Sequence, residues 1–505
     1  MTAELTGPSA ARAGALADHG IRSDGDRLRR AVIAAALVWA VAFIVVGVWY
    51  RLEMYGDGSI FSYSVVVRAG WAFHFHNISD RLFVYLYSHL PAEVYVALTQ
   101  DARGGIALYG LLFFAAPLAG LAATFAADRS RGRVIFGCAS LSTIVLCPMV
   151  FGFPTEMWIA HSLFWPALAL CHYAPRGIVG GTAVLAVLLA LGLTHEGALV
   201  FAFAILATLA LRGLGDAAFL RAAGALAIVV AVWLAVRIEL TPDPYYARII
   251  PAAAYNFIDV RNLIGLPLFD LVFAALAGYG AMLLVLRRLA PAQAPALAAV
   301  VVALALVVYW MWFDRELNTQ DRYYLRTAIL VTTPVLGALA VLNALRDERR
   351  LNLPLQVLTR PAELVAAWAA ALTRGAAARA AIGALATVML VHAVETAKFV
   401  TAWVRYEAAV RTLATGTASD PALGDPRFVS SERIGADLNR LDWSTTTHFL
   451  SVLAAPGLAP SRLVIDPNVG YFWLTCDLAN AIEKADNPIP VESRMLIRVH
   501  ACLHR

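Results

Sequence analysis

The chain has 505 residues, of which 60% are hydrophobic and 15% are charged, and its mean hydropathy is +0.68. Soluble domains carry about 45–50% apolar and about 25% charged residues, so this composition excludes an ordinary soluble protein. The net charge of +5 does not indicate nucleic-acid binding, because the basic residues are scattered between apolar runs, where arginine sets membrane topology.

Long apolar runs recur along the chain, and about 17–25 apolar residues are enough for a helix to cross a bilayer. They predict an α-helical polytopic membrane protein with about eleven transmembrane helices. The predicted spans are 31–50, 104–127, 134–150, 158–173, 178–193, 198–211, 222–238, 268–286, 294–313, 327–345 and 380–400. Residues 178–211 are divided in two because one helix of that length would be about 50 Å long, against a bilayer core of about 30 Å.

The arginines between the spans predict the orientation, since cytoplasmic loops carry an excess of basic residues. Residues 1–30 are predicted to be a cytoplasmic tail, and 31–400 a transmembrane domain. The first outer loop, 51–103, is predicted to be structured. It should contain a helix at 59–71 and a second helical segment that begins after Ser79 and ends at Pro91.

Residues 401–505 are predicted to form a small α/β domain on the extracytoplasmic side. A helix is expected at 430–453, with short strands at 462–466 and 495–500. On that side of the membrane cysteines can oxidise, and we predict a disulfide between Cys476 and Cys502. Closing the loop between them would contribute about 3–4 kcal/mol in the chain-entropy model.

The predicted topology gathers ionisable side chains at one face of the membrane. These residues are Asp57, Glu156, His195, Glu196, Arg248, Asp314, Glu316, Arg322 and Arg326. No single one of them is diagnostic, but their convergence on the outer face indicates a functional site there.

Asp57 opens the first predicted outer helix directly after the first span. One interpretation is an N-cap, because an acidic residue at this position is favoured by the helix dipole. The other is a general base that takes a proton from an acceptor hydroxyl, with His74 and His76 nearby in the chain. A divalent metal is left open, because these residues and Asp80 are hard or borderline ligands without a strict ligand spacing.

Arg322 and Arg326 stand four residues apart, immediately before the tenth predicted span. Arginines bind phosphate through bidentate, charge-assisted hydrogen bonds, so either could hold a phosphate leaving group. The competing interpretation is an interfacial aromatic belt with a snorkelling arginine, which accounts for the two intervening tyrosines but less well for two arginines on the outer side.

Two further outer segments are candidates for substrate binding. His195 and Glu196 lie between two short apolar helices, where ionisable groups are costly unless they meet water or a partner, although they could also form a simple turn. Tyr245 and Arg248 follow two prolines in a loop that could cover a lipid-linked substrate.

These stretches bear a family resemblance. Asp57 after the first span, followed by Gly70-Trp71 and His76, resembles the GT-C class of polyprenyl-phosphate-sugar-dependent membrane glycosyltransferases, of the protein-mannosyltransferase and lipid A aminoarabinose-transferase type. The run Arg322-Tyr-Tyr-Leu, with Pro334 downstream, looks like the same family's late Arg-Tyr-Leu-Leu-Pro segment. Where many members have Asp-Glu and His-Pro-Pro, this chain has Asp-Gly and His-Asn-Ile.

The resemblance implies that Asp57 is the catalytic base and that Arg322 or Arg326 holds the donor phosphate. The expected partners are a polyprenyl-phosphate-linked sugar and membrane lipid, and the expected location is a bacterial inner (plasma) membrane. The alternative function is a transporter or flippase of lipid-linked saccharides, which would place charged groups near the bilayer midplane and often shows inverted repeats. We see no internal repeat, so the transferase is the preferred hypothesis.

Overall fold

The structure, a computed structural model, describes most of the chain. The described residues are 9–71, 81–146, 155–239, 259–263, 267–314, 322–351, 364, 367, 371, 375–417, 423, 426–443 and 446–466. Within these ranges, the side chains of 9–23, 262, 263, 267, 322–325 and 439 are not described. The predicted strand at 495–500 and the Cys476–Cys502 disulfide lie outside the described residues.

The described chain is almost entirely helical. In chain order its helices are α1 (Ser9–Trp49), α2 (Asp57–Val67), α3 (Leu82–Val84), α4 (Leu90–Thr99), α5 (Ala102–Ala127), α6 (Val134–Leu146), α7 (Glu156–Tyr173), α8 (Ile178–Gly192), α9 (Ala198–Ala210), α10 (Ala217–Glu239), α11 (Pro267–Leu289), α12 (Ala294–Trp312), α13 (Arg322–Asp347), α14 (Gly375–Thr415), α15 (Ala436–Asn439) and α16 (Thr447–Ala454). Two short strands, β1 (Phe428–Ser430) and β2 (Leu463–Ile465), form a parallel pair in which Val429 lies beside Val464.

Within the described residues, seven helical segments are long and apolar enough to cross a membrane. They are Asp24–Trp49, Ala102–Ala127, Ala217–Glu239, Leu268–Leu289, Ala294–Trp312, Arg326–Asp347 and Gly375–Thr415. The chain is therefore a helical polytopic membrane protein. The remaining predicted spans also fall on helices, α6 to α9, and the predicted division of residues 178–211 is confirmed by the separate helices α8 and α9.

Helix α7 lies at the centre of the bundle, packed against α5, α8, α9 and α13. Its first thirteen residues are buried with the exception of a half-buried Leu163. The closest approach is to α5, where a side chain at Gly120 would place its Cβ 2.4 Å from the carbonyl oxygen of Ser162. Only glycine lets the two backbones come this close, so the position of α7 beside α5 is set at this point.

Helices α1 and α14 run in the same direction through the bundle. Arg379 pairs with Asp24 at one end, at 2.7 Å, and Arg51 pairs with Glu407 at the other end, at 2.9 Å. The chain beyond α14 therefore emerges at the same end as the loop that follows α1. We call this the loop-1 end of the bundle.

The C-terminal segment covers part of the loop-1 end. The Ser59 hydroxyl in α2 donates to the carbonyl of Thr446, at 3.1 Å, and the rings of Tyr63 and Phe449 are 5.3 Å apart. Arg103, at the start of α5, donates to the carbonyl of Ala455 at 2.6 Å. These contacts hold α16 directly on α2.

Two local predictions are wrong. The segment at 82–99 does not end at Pro91, because a π-helical turn at Tyr85–His89 shifts the backbone register and leaves Pro91 in the first turn of α4, where its missing N–H costs nothing. The single helix expected at 430–453 is divided into shorter elements, because Gly435 has a φ of 104° and breaks the helical path. The strand expected at 462–466 is confirmed as β2.

Candidate functional site

Asp57 is the first residue of α2, at the loop-1 end of the bundle. The cap position is occupied by Gly56, which has a φ of 58° and no side chain to bond the helix terminus. The carboxylate of Asp57 is half-buried and lies in the first turn, where the positive end of the helix dipole favours the ionised form. Asp57 is thus a member of the first turn and not its cap.

Tyr109 in α5 marks the centre of the acidic part of the site. This buried tyrosine lies within electrostatic reach of three carboxylates, those of Glu156, Glu53 and Asp57. The packing of α2 and α7 on α5 brings these acids together from separate parts of the chain. The structure therefore places Asp57 in a group of acids and not out in bulk solvent.

His89 joins this group through the π-helical turn. Its ring lies 4.7 Å from the ring of Tyr109 and 5.8 Å from that of Phe61, and it is fully buried. Turns of this kind occur frequently at functional sites, because the extra residue redirects one side chain. His89 was not among the site residues predicted from the sequence, where Pro91, two residues after it, was the one available signal.

Glu53 is a second buried residue that was not among the predicted site residues. Its carboxyl group lies against α5, where a Cβ at Gly110 would come within 2.9 Å of Cδ. Burial raises the pKa of Glu53 to about 8, against smaller opposing effects of a backbone hydrogen bond and Arg51. Glu53 is therefore mainly protonated at neutral pH, and its Oε2 has no hydrogen-bond partner among the described residues.

A cluster of charged residues adjoins these acids. Arg81 lies between two carboxylates, at 2.5 Å from Glu156 Oε1 and at 3.5 Å from Glu196 Oε2. Arg326, which is also buried, acts electrostatically on both carboxylates. His195 completes the cluster, with Nδ1 at 3.2 Å from Glu196 Oε2. We call these five residues the charge cluster.

The charge cluster brings together three of the predicted site residues, His195, Glu196 and Arg326. Arg81 was missed, because its two partners are distant in sequence and nothing local to the arginine indicates them. One hydrogen bond explains why Arg81 reaches Glu196. The N–H of Phe83 donates to the carbonyl of Leu193 at 2.8 Å, which holds the first loop against the turn between α8 and α9.

Burial and charge set the protonation states of the turn. Burial alone would raise the pKa of Glu196, but Arg81, together with smaller contributions that include a backbone hydrogen bond and Arg326, lowers that pKa to about 2. Burial lowers the pKa of His195 to about 3, so the ring is neutral at pH 7. The N–H of Gly197 lies 3.0 Å from His195 Nδ1, the same ring nitrogen that faces Glu196.

Glu156 is held ionised by the same arginine. Burial would raise its pKa, but Arg81, with help from Arg326 and a backbone hydrogen bond, lowers it below the usual value. The cluster then contains two guanidinium groups and two carboxylates around a neutral imidazole, so its net charge is close to zero. An incoming anion must therefore compete with a carboxylate for an arginine.

Several predicted site residues cannot be placed. His74, His76, Tyr245 and Arg248 lie outside the described residues, and Arg322 is described only as the first residue of α13. Among the residues that are described, no group of three or more His, Cys, Asp or Glu side chains could hold a metal ion. The metal left open for Asp57 with His74, His76 and Asp80 is not tested, because the last three residues lie outside the described ones.

The fold and the site define a class, a helical polytopic membrane protein with a buried group of acids and a charge cluster at one end of its bundle. Comparison with family models, with curated proteins and with solved structures finds no match to this chain. The functional argument therefore rests on the geometry of the site.

Proposed function

We propose that the chain is an integral-membrane glycosyltransferase that moves a sugar from a polyprenyl-phosphate donor to a lipid, glycan or protein acceptor. The observation that carries the proposal is the juxtaposition at the loop-1 end. Asp57 and Glu156 both lie within electrostatic reach of Tyr109, and Glu156 forms an ion pair with Arg81. A base for the acceptor and cations for the donor thus meet in one region.

Asp57 is the proposed general base. It takes the proton from an acceptor hydroxyl while that oxygen attacks the anomeric carbon and inverts it, and the bond from this carbon to the phosphate oxygen breaks. Polyprenyl phosphate leaves with the bonding electrons. The half-buried position of the carboxylate suits this role, since it is open to an acceptor yet partly shielded from water.

Arg81 and Arg326 are the proposed cations for the donor phosphate, with Arg322 as the further candidate from the sequence. Glu196 is the carboxylate that we expect the phosphate to replace on Arg81. Its contact to the arginine is 3.5 Å, against 2.5 Å for Glu156, and its side chain is 20% exposed. The phosphate would then share Arg81 with Glu156 without a net loss of partners.

The proposed membrane topology has eleven spans in a bacterial inner membrane, with the loop-1 end on the extracytoplasmic face. Residues 1–30 would be cytoplasmic and 401–505 periplasmic. Supporting this, the two parallel helices α1 and α14 deliver loop 1 and the C-terminal segment to the same end. Basic residues between α5 and α6, and Arg287 and Arg288 in the last turn of α11, would then lie in the cytoplasm.

A transporter of lipid-linked saccharides is the alternative. This alternative would be supported if His195 and Glu196 lay near the bilayer midplane. The turn that carries them is bonded to the first loop through Phe83 and Leu193, which favours transfer at one face.

The test compares two acids that both stand at helix starts. Purified full-length protein in nanodiscs receives a panel of radiolabelled polyprenyl-phosphate sugars with membrane extract as acceptor, and release of polyprenyl phosphate is measured. Asp57→Asn should abolish release. Asp101→Asn should not, because Asp101 caps α5 by accepting from the N–H of Gly104 at 2.9 Å and Asn keeps that bond.

A folded Asp57→Asn variant with full activity would remove the base assignment. If neither wild type nor variant releases polyprenyl phosphate from any donor, but both move a labelled lipid-linked saccharide across the bilayer of sealed vesicles, the transporter becomes the better hypothesis.

A further inference from the structure

A groove of about 1020 Å³ lies on the outer surface of α14, beneath α15. Its floor is apolar and made of small side chains, including Ala393, Val394 and Ala397. Its far end is lined by basic residues, Arg405 from α14 and Arg440 directly after α15. The groove therefore changes from apolar to cationic along its length.

The groove is separate from the candidate functional site. Residues that line it recur every three or four positions on α14, so they share one face of that helix. The opposite face is buried against the first loop: Trp403 Nε1 donates to the carbonyl of Tyr50 at 2.8 Å, and its ring lies 5.4 Å from that of Tyr55. A molecule in the groove would not touch Asp57 or the charge cluster.

Two observations place the middle of the groove at a membrane–water interface. Lys398, which lines it, pairs with Asp314 at 3.3 Å, at the point where α12 ends. The last residues there, Trp312 and Phe313, are 63% and 80% exposed, as expected of an aromatic belt at the level of lipid headgroups. The apolar floor then lies at acyl-chain depth, and the arginines lie at or beyond headgroup depth.

The charge of the lining is positive. Three basic residues, Lys398, Arg405 and Arg440, face the groove with one acid, Asp437. The acid pairs with Arg405 at 2.8 Å, but both side chains are 62% exposed, and ion pairs of this kind are weak enough for a phosphate to compete. The second partner of Lys398, Glu395 at 3.1 Å, does not line the groove.

We propose that this groove is a binding site for an anionic membrane phospholipid. Its acyl chains lie along Ala393, Val394 and Ala397, and its phosphate is held by Arg405 and Arg440 with Lys398 below. The proposal does not depend on the transferase function, because none of the residues that line the groove belongs to the candidate functional site.

The test measures which lipids stay with the protein. Full-length protein is reconstituted in nanodiscs of equimolar phosphatidylglycerol and phosphatidylcholine, and native mass spectrometry gives the ratio of the two lipids retained. Each arginine near a headgroup should favour the anionic lipid about fivefold. We expect the wild type to retain phosphatidylglycerol preferentially, and the double variant Arg405→Gln/Arg440→Gln to lose most of that preference.

Two further variants make the result specific. Arg433→Gln/Arg462→Gln removes the same charge from the C-terminal segment outside the groove and should retain the wild-type ratio. Ala397→Trp fills the apolar floor at an exposed position while keeping every charge, and it should reduce the amount of phosphatidylglycerol retained.

The proposal is overturned if phosphatidylcholine is retained as well as phosphatidylglycerol, or if both double variants change the ratio equally. It is also overturned if equimolar polyprenyl phosphate displaces phosphatidylglycerol from the wild type but not from Ala397→Trp. That result would assign the groove to the donor lipid.

Discussion

Replacing Arg81 by glutamine removes the central cation of the charge cluster. The side chains of Arg81 and Glu156 are only 11% and 2% exposed, and their charged atoms are 2.5 Å apart. Removing one partner of a buried pair leaves an uncompensated charge and costs about 3–5 kcal/mol of folding free energy. Because Arg326 still acts on Glu156, we expect Arg81→Gln to lie near the lower end, at about 3 kcal/mol.

The pH dependence of this loss follows from the pKa of Glu156. In the wild type, Arg81 depresses that pKa below 4.5, so the stabilisation is present above pH 4.5 and disappears as the pH falls through the depressed pKa. The variant lacks this stabilisation, and its buried carboxylate gains stability by taking up a proton. The difference between wild type and variant should therefore be largest at neutral pH and should shrink towards pH 4.5.

The assay is equilibrium unfolding in mixed micelles, followed by circular dichroism. Arg350→Gln is the matched control, because its pair with Glu348 spans 3.5 Å and Arg350 is 53% exposed, so its loss should cost at most about 1 kcal/mol. The double variant Arg81→Gln/Glu156→Gln should recover much of the lost stability. If Arg81→Gln costs no more than Arg350→Gln, or if the second change recovers nothing, the charge cluster does not exist as described.

Three other predictions concern single features of the chain. Gly110→Ala should cost about 1–3 kcal/mol of folding free energy by displacing Glu53. Gly224→Ala, with nothing within 4 Å of its added Cβ, should be neutral or slightly stabilising in the same unfolding assay. Equal effects of the two variants would contradict the packing of Glu53 against Gly110. Glu53→Gln should flatten the pH dependence of stability. In the wild type, burial raises the pKa of the folded Glu53 carboxyl from 4.5 to about 8, so the wild type should lose stability as the pH rises from 4.5 to 8. A Glu53→Gln variant that loses as much stability over the same pH range would refute the assignment. Peptide mass spectrometry of protein matured in its native host should find Cys476 and Cys502 linked, and two free thiols would end that prediction.

The helices were predictable because a bilayer imposes few choices. An apolar run must satisfy its backbone hydrogen bonds internally, and its length decides whether it crosses once or turns back. The turn between Gly192 and Ala198 could be predicted on this basis from the sequence alone. The prediction of helix ends was wrong at Pro91, where a π-helical turn before the proline places it in the first turn of α4. It was also wrong at Gly435, where the positive φ of the backbone interrupts a sequence pattern that predicted one continuous helix.

The site was predictable only in outline. Membrane sidedness was enough to expect Arg326, His195 and Glu196 at one end of the bundle, and the structure brings these three together. It could not reveal Arg81 or Glu53. Arg81 is positioned by a hydrogen bond between two loops, and Glu53 is buried because α5 has a glycine, Gly110, beside it. Neither feature leaves a local pattern in the sequence.

The two ends of the bundle use their charges differently, and this difference bears on function. At the end opposite loop 1, polar side chains satisfy the backbone: Asp128 accepts from the N–H groups of Ser130 and Phe136, and Arg212 donates to the carbonyl of His172. These bonds close helix ends, and the ion pairs at this end, Arg379–Asp24 and Arg212–Asp216, each have a side chain that is at least 26% exposed.

In the charge cluster, by contrast, the ionised groups of Arg81, Glu156 and Glu196 are paired with one another. Such pairs are costly to bury and contribute little net stability, since apolar residues of the same volume would often serve as well. A chain that keeps them beside a half-buried aspartate retains groups that can exchange partners. Exchange with the phosphate of a substrate is the use that fits their charge and their position best.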